Sequence, residues 1–142
     1  MRRTQGLYFA DGQIRDEVYE YGSFLQSKMF AAGVTCSDCH DPHSLEPLAQ
    51  GDALCGRCHA PERFATEAHH HHPVDSPGAR CVECHMPERT YMVIDRRRDH
   101  SLRLPRPDLA TVTGAPDACT ACHRERDAGW AARAIAGWGG VA

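Results

Sequence analysis

Four times in this chain two cysteines with two residues between them are followed at once by a histidine: Cys36-Ser-Asp-Cys39-His40, Cys55-Gly-Arg-Cys58-His59, Cys81-Val-Glu-Cys84-His85 and Cys119-Thr-Ala-Cys122-His123. The spacing suits one reaction. Two thiols add across the two vinyl groups of a porphyrin, and the adjacent histidine comes to lie under the iron as its proximal ligand, which is the attachment signal of c-type haem. All eight cysteines are used in this way. The expected cofactors are four covalently bound haem c groups, held by Cys36, Cys39, Cys55, Cys58, Cys81, Cys84, Cys119 and Cys122, with His40, His59, His85 and His123 as proximal iron ligands.

Zinc is the competing chemistry, because the 15 residues between Cys39 and Cys55 fall within the spacing of a four-cysteine zinc ribbon. Zinc does not require a histidine directly after each second cysteine. With 10 histidines in 142 residues, four such placements arise by chance roughly 2 or 3 times in 100,000, and this decides for haem. Disulfides within the four pairs would close only tiny loops and constrain little.

The opposite face of each iron needs a second ligand. His43, His69, His70, His71, His72 and His100 remain, enough for bis-histidine ligation throughout. Met29, Met86 and Met92 offer the thioether alternative, but they read better as packing against porphyrin edges. His43 lies three residues past His40, so on a helical turn the two rings leave on neighbouring faces and serve different haems. His100 follows the charged run Asp95-Arg96-Arg97-Arg98-Asp99. Of the block His69 to His72, only two rings are expected to ligate, the others donating to propionates or facing water. His70 and His72 share a face if the segment is extended. The expected distal set is therefore His43, His70, His72 and His100.

The elements that must position these groups are short. The fold class expected is mainly α with much irregular coil and little or no β-sheet, a small multihaem module organised around its four haems. Mean hydropathy is -0.52, hydrophobic residues make up 42%, and Gly and Pro are 12 and 9 in number, so there is little aliphatic material for a protein core. Porphyrin faces supply the missing apolar surface, and folding is expected to depend on them.

By size the chain is one domain, 1–142. It reads as an extended lead-in over 1–15 and a packing helix over 16–33, where Val18, Tyr21, Leu25 and Met29 recur at helical spacing and Gly33 stops it. Haem-binding segments follow over 34–123 and a C-terminal helix over 124–142. Within these, 50–60 is expected to wind a short helix, 73–79 to loop, and Tyr91 to Ile94 to form an isolated extended piece. Leu104-Pro-Arg-Pro107 reads as an extended connector. Asp117 is a helix N-cap, the last motif opens a helix that continues past Trp130 to Trp138, and Gly137, Gly139 and Gly140 end it. Arg96, Arg97 and Arg98 suit either haem propionates or a solvated run balanced by Asp95 and Asp99.

The formal charge is -3, to which haem propionates would add. No basic stripe interleaved with aromatics is present, and nucleic-acid binding has no support. No transmembrane segment is expected. Covalent haem attachment takes place outside the cytoplasm, so the expected location is periplasmic or extracellular. Met1-Arg2-Arg3 precedes no apolar stretch, and the signal is expected to lie outside this chain.

Taken together, Cys36-Ser-Asp-Cys39-His40-Asp-Pro-His43-Ser, the histidine block, Gly78 to Pro87, Tyr91 to Asp95, Arg97 to Ser101, and Trp130-Ala-Ala with Trp138 resemble the multihaem cytochromes c with doubled C-x-x-C-H motifs. The resemblance is strongest to the cytochrome part of bacterial haem proteins fused to tetratricopeptide repeats. It implies further haem motifs before this region and helical repeats after it, and hence a fragment or processed module of a larger protein.

The function expected is electron transfer along a row of low-potential haems, since an iron with two histidines has no open position. The expected partners are redox proteins, including other multihaem cytochromes. Two alternatives stand beside it. One is an enzyme with a single open iron that reduces nitrite, hydroxylamine or a similar small nitrogen compound. The other is a homo-oligomer in which modules stack as an extracellular filament and a histidine is donated to a neighbour's haem.

Overall fold

The computed structural model describes residues 6–138. Its elements are short because capping residues, prolines and glycines interrupt the chain every few residues. Helix α1 spans Glu20–Phe24 and α2 Lys28–Ala31. The single packing helix expected over 16–33 is thus two helices, and Ser27 is the reason for the break. Its backbone is extended and its hydroxyl accepts from the Phe30 amide, which restarts the helix. Helices α3 (Pro61–Phe64) and α4 (Glu67–His70) precede the second half of the histidine block, and α5 (Cys81–His85) carries the third motif.

A two-stranded antiparallel hairpin follows, β1 Glu88–Tyr91 with β2 Asp95–Arg98, paired Glu88 to Arg98 and Tyr91 to Asp95. The extended piece expected at Tyr91 to Ile94 is therefore the end of β1 and a turn. Met92 and Val93 take positive φ there, and Val93 and Ile94 stand in solvent. Helix α6 (Pro107–Thr113) begins on Pro107 itself, whose fixed φ and missing amide suit a first helical position. The extended connector accordingly ends at Arg106.

Asp117 caps α7 (Ala118–Cys122), accepting from the amides of Cys119 and Thr120. Helix α8 (Ala128–Gly137) starts afresh after Asp127, whose carboxylate accepts from the Trp130 amide. One continuous C-terminal helix is not formed, because this second N-cap outcompetes continuation. Residues Gly139 and Gly140, like Arg2 and Arg3, lie outside the described residues.

The lead-in is a tight loop: Tyr8 bridges Ile14, and the Arg15 amide donates to the Leu7 carbonyl. Arginines pin it to the rest. Arg89 donates to the Ile14 carbonyl at 2.6 Å, Arg97 to Val18 at 3.0 Å and Arg103 to Asp11 at 3.2 Å. Among the described residues the buried apolar side chains are Ile14, Phe24, Tyr91, Pro107, Ala115 and Ala131. Ser23, Ser27, His70, Asp99 and Ser101 are buried as well, so the interior is nearly as polar as it is apolar. Among the described residues no helix is long and apolar enough to cross a membrane.

Candidate functional site

Each C-x-x-C-H sequence winds one helical turn. The first and second are single 3-10 turns, Cys36–Asp38 and Cys55–Arg57, and the third and fourth are α5 and α7. The amides of His40, His59 and His123 donate to the carbonyls of Cys36, Cys55 and Cys119, each at 2.9 Å. This closes the turn between the first cysteine and the histidine and sets both on one side. Thr35 and Asp38 form a capping box on the first turn.

The turns lie next to one another in chain order. Cys39 lies near Cys55 and Cys58, Cys55 near Cys81, and Cys84 near Cys119 and Cys122. Arg57 ties the second turn to the first, donating to the Asp38 carbonyl at 2.7 Å. All eight cysteines are free thiols. Burial pushes Cys81 up to about 12 and Cys119 up to about 11, with neighbouring thiols and Asp52 or Asp117 adding to the effect. Such thiols stay protonated at neutral pH. No group of three or more His, Cys, Asp or Glu side chains is gathered as a metal-ion site among the described residues.

The histidines form pairs. His40 faces His100 with ring centres 6.3 Å apart, His85 faces His69 at 6.1 Å, and His123 faces His72 at 6.0 Å. These are not contact stacks; His71 on Trp138, at 4.2 Å and 15°, is one. A metal bonded to two imidazole nitrogens at about 2.0 Å each, with each ring centre roughly 1.1 Å behind its nitrogen, separates the centres by about 6.3 Å. The ring-centre separations of the three pairs match that spacing. A cavity of about 310 Å³ opens beside Cys84, lined by Leu102, Leu104 and Leu109 and by the charged side chains of Lys28, Arg106, Asp11 and Asp117.

The other ring nitrogen of these histidines is held by the backbone. Nδ1 of His40 is 2.8 Å from the Leu45 carbonyl, that of His85 3.0 Å from Arg103, that of His100 2.9 Å from Arg98 and that of His72 2.5 Å from His70. An Nδ1–H donated to a carbonyl fixes the tautomer and leaves Nε2 as the ligand atom. His100 also has the Glu20 carboxylate 3.4 Å from Nδ1, which holds this imidazole above its ordinary range against the opposing effect of burial. Burial, with the charges of His85 and its neighbours next, holds His69 below that range.

Of the expected distal residues, His100 and His72 thus face motif histidines. His70 does not: it is buried, and its Nδ1 accepts from the His72 amide at 3.3 Å. The block is not extended as the shared-face argument assumed. Helix α4 runs through His70, and His71 then turns into the left-handed region at φ 55. The turn sends His69 towards the third motif and His72 towards the fourth. His43 is exposed on the turn that follows the first motif, where Asp41 accepts from the amides of His43 and Ser44. His59 has Phe64 as its ring neighbour, edge-on at 5.7 Å, and Phe64 in turn meets His69 at 5.2 Å. Trp130 lies 5.0 Å from His123, so each tryptophan touches a histidine.

Arg96, Arg97 and Arg98 are engaged by the protein's own carboxylates. Arg96 pairs with Glu88 at 2.7 Å, Arg98 with Glu83 at 2.9 Å, and Arg97 with Glu17, Glu20 and Asp95 while lying over the Tyr91 ring. Glu20 and Phe64 carry no signal in the sequence, and Gly78, though within a stretch that carries the resemblance, carries none for its place against His72. A methyl group on Gly78 would sit inside contact distance of the His72 ring, 2.6 Å from Cγ and closer still to Cδ2. Gly78→Ala is therefore expected to displace His72. One haem's spectrum should change from low to high spin in the oxidised protein while the others keep theirs.

Residues 28–64 match the family model described as the doubled CXXCH motif, a stretch running from the start of α2 to the end of α3 and holding the first two haem turns. The chain is similar over that stretch to multihaem c-type cytochromes, and its motifs are those of covalently bound haem c. No curated protein and no solved structure matches the chain.

Proposed function

We propose that the chain binds four haems c, one on each motif, and carries electrons along them with every iron held between two histidines. The observation that carries this is the set of three imidazole pairs at 6.0 to 6.3 Å, each joining a motif histidine to a histidine from elsewhere in the chain. The ligand sets are His40 with His100, His85 with His69, and His123 with His72. His43 is assigned to the remaining iron, over His59. It is on the segment joining the first two motifs, which Arg57 holds together, while His70 and His71 are engaged by the His72 amide and Trp138.

Haem supplies one-electron redox chemistry at low potential under such ligation. The chain's residues do the rest. The backbone carbonyls of Leu45, Arg98, Arg103 and His70 orient the imidazoles. The nearness of successive cysteine pairs supports a row of motifs in sequence order, with the first and fourth at its ends. The expected partners are redox proteins meeting those ends, and the expected location is periplasmic or extracellular.

A second reading, a reductase with one open iron, is favoured by Phe64, which is the ring beside His59 where the other motif histidines have an imidazole. Carbon monoxide separates the two. The reduced protein is expected to leave its optical spectrum unchanged under carbon monoxide, and His43→Ala to bind it at one haem in four. Binding by the unsubstituted protein, undiminished or unincreased in the variant, would favour the open site.

A further inference from the structure

His100 is set apart from the other histidines by what stands behind it. Its Nδ1 has the Arg98 carbonyl at 2.9 Å and, in addition, the Glu20 carboxylate at 3.4 Å. The Nδ1 atoms of His40, His85 and His72 meet neutral carbonyls. Among the described residues no other histidine has a carboxylate within ion-pair distance.

The charge of Glu20 is not cancelled by its neighbours. Arg97 is its cationic partner, 3.5 Å away, yet the same guanidinium also serves Glu17 and Asp95. Three residues past His100, Arg103 is shared between Asp11 and Asp99, each at 3.7 Å. Two arginines thus face five carboxylates around the His100 segment. The side chains of Glu20 and Arg97 are 23% and 19% exposed, so solvent screens this field weakly. A carboxylate behind a ligating imidazole makes the ring a stronger donor and favours the more positive, oxidised iron.

We propose that Glu20 is a tuning residue that makes the haem held by His40 and His100 the lowest-potential member of the row, with Arg97 setting how much of the carboxylate's charge is felt. This rests on the bis-histidine reading and adds direction to it. The first motif is the end of the row at which reduced haem is least stable, so an electron placed there moves towards the fourth. Helix α1, which carries Glu20, therefore tunes the first haem through His100.

The test is a spectroelectrochemical titration of the holoprotein with Glu20→Gln and, separately, Arg97→Gln. Glu20→Gln keeps the shape and removes the charge. It is expected to raise the lowest of the four potentials so that the oxidised-to-reduced ratio of that haem falls about tenfold at fixed solution potential, ~59 mV for one electron. The other three should hold their values. Arg97→Gln is expected to move the same haem the opposite way, a sign reversal that a merely structural role for α1 would not give. Shifts of the same sign in both variants, an unmoved lowest potential, or equal movement of all four would overturn the proposal. A high-spin signal from the first haem of the unsubstituted protein would overturn the ligation beneath it, and this is read before any variant is made.

Discussion

The haem-free chain, made with its eight cysteines replaced by alanine, is expected to show no cooperative thermal transition and a far-ultraviolet spectrum without helix. The reason is the shortage of anything else to fold around. Among the described residues six apolar side chains are buried, two of them alanine and one proline, and seven of the eight α-helices have seven residues or fewer. Helices shorter than about 12 residues do not persist in water without tertiary packing. Fixing each backbone residue costs about 1 to 2 kcal/mol, and a core of this size cannot offset that over more than a hundred residues. The same chain with haem attached is expected to melt cooperatively. A haem-free chain that keeps helix and unfolds in a single sharp transition would show that the polypeptide holds its own core.

Asp99→Ala is expected to destabilise the holoprotein by about 3 to 5 kcal/mol, the cost of breaking a buried charged network by removing one partner. The Asp99 side chain is almost fully buried. It accepts from the Ser23 hydroxyl in a short hydrogen bond, from the Ser101 amide and hydroxyl at 2.8 Å each, and faces Arg103 at 3.7 Å. Those bonds join α1 to the segment that carries His100, and Arg103 in turn supplies the carbonyl that orients His85. Two haems should therefore feel the loss, with a high-spin component appearing at the His100 site first. Asp99→Asn, which can keep the bond from the Ser101 amide, is expected to cost about 1 to 3 kcal/mol and to leave the ligands in place. Denaturant melts with an optical count of high-spin haem check both. A change below 1 kcal/mol in the alanine variant would remove Asp99 from the framework of the site.

The cysteine and histidine chemistry was legible in the sequence because it depends on spacing within five residues. So was the Asp117 cap, and so was the shortage of aliphatic core. The distal histidines were legible only in part. His72 and His100 face motif histidines, but the choice of His70 assumed an extended tract, and a left-handed turn at His71 decides which rings face which motif. A positive φ at a residue other than glycine leaves no mark in sequence. The strap over 16–33 looked like one helix because its apolar spacing is continuous; the Ser27 cap interrupts the backbone without interrupting that pattern. Likewise, Asp127 divides the C-terminal helix from the fourth motif. The charged run 95–99 suited either haem propionates or a solvated run balanced by Asp95 and Asp99; Arg97 does pair with Asp95, and the further partners Glu17 and Glu20, Glu83, and Glu88 are brought in by segment 16–33, α5 and β1.

Low-temperature electron paramagnetic resonance of the oxidised protein, with haem quantified per chain, tests the central claim most directly. Four haems per chain, all low-spin, are expected from two histidines on every iron. Fewer than four haems, or a high-spin signal near one haem in four, would contradict it, the latter pointing to the iron over His59.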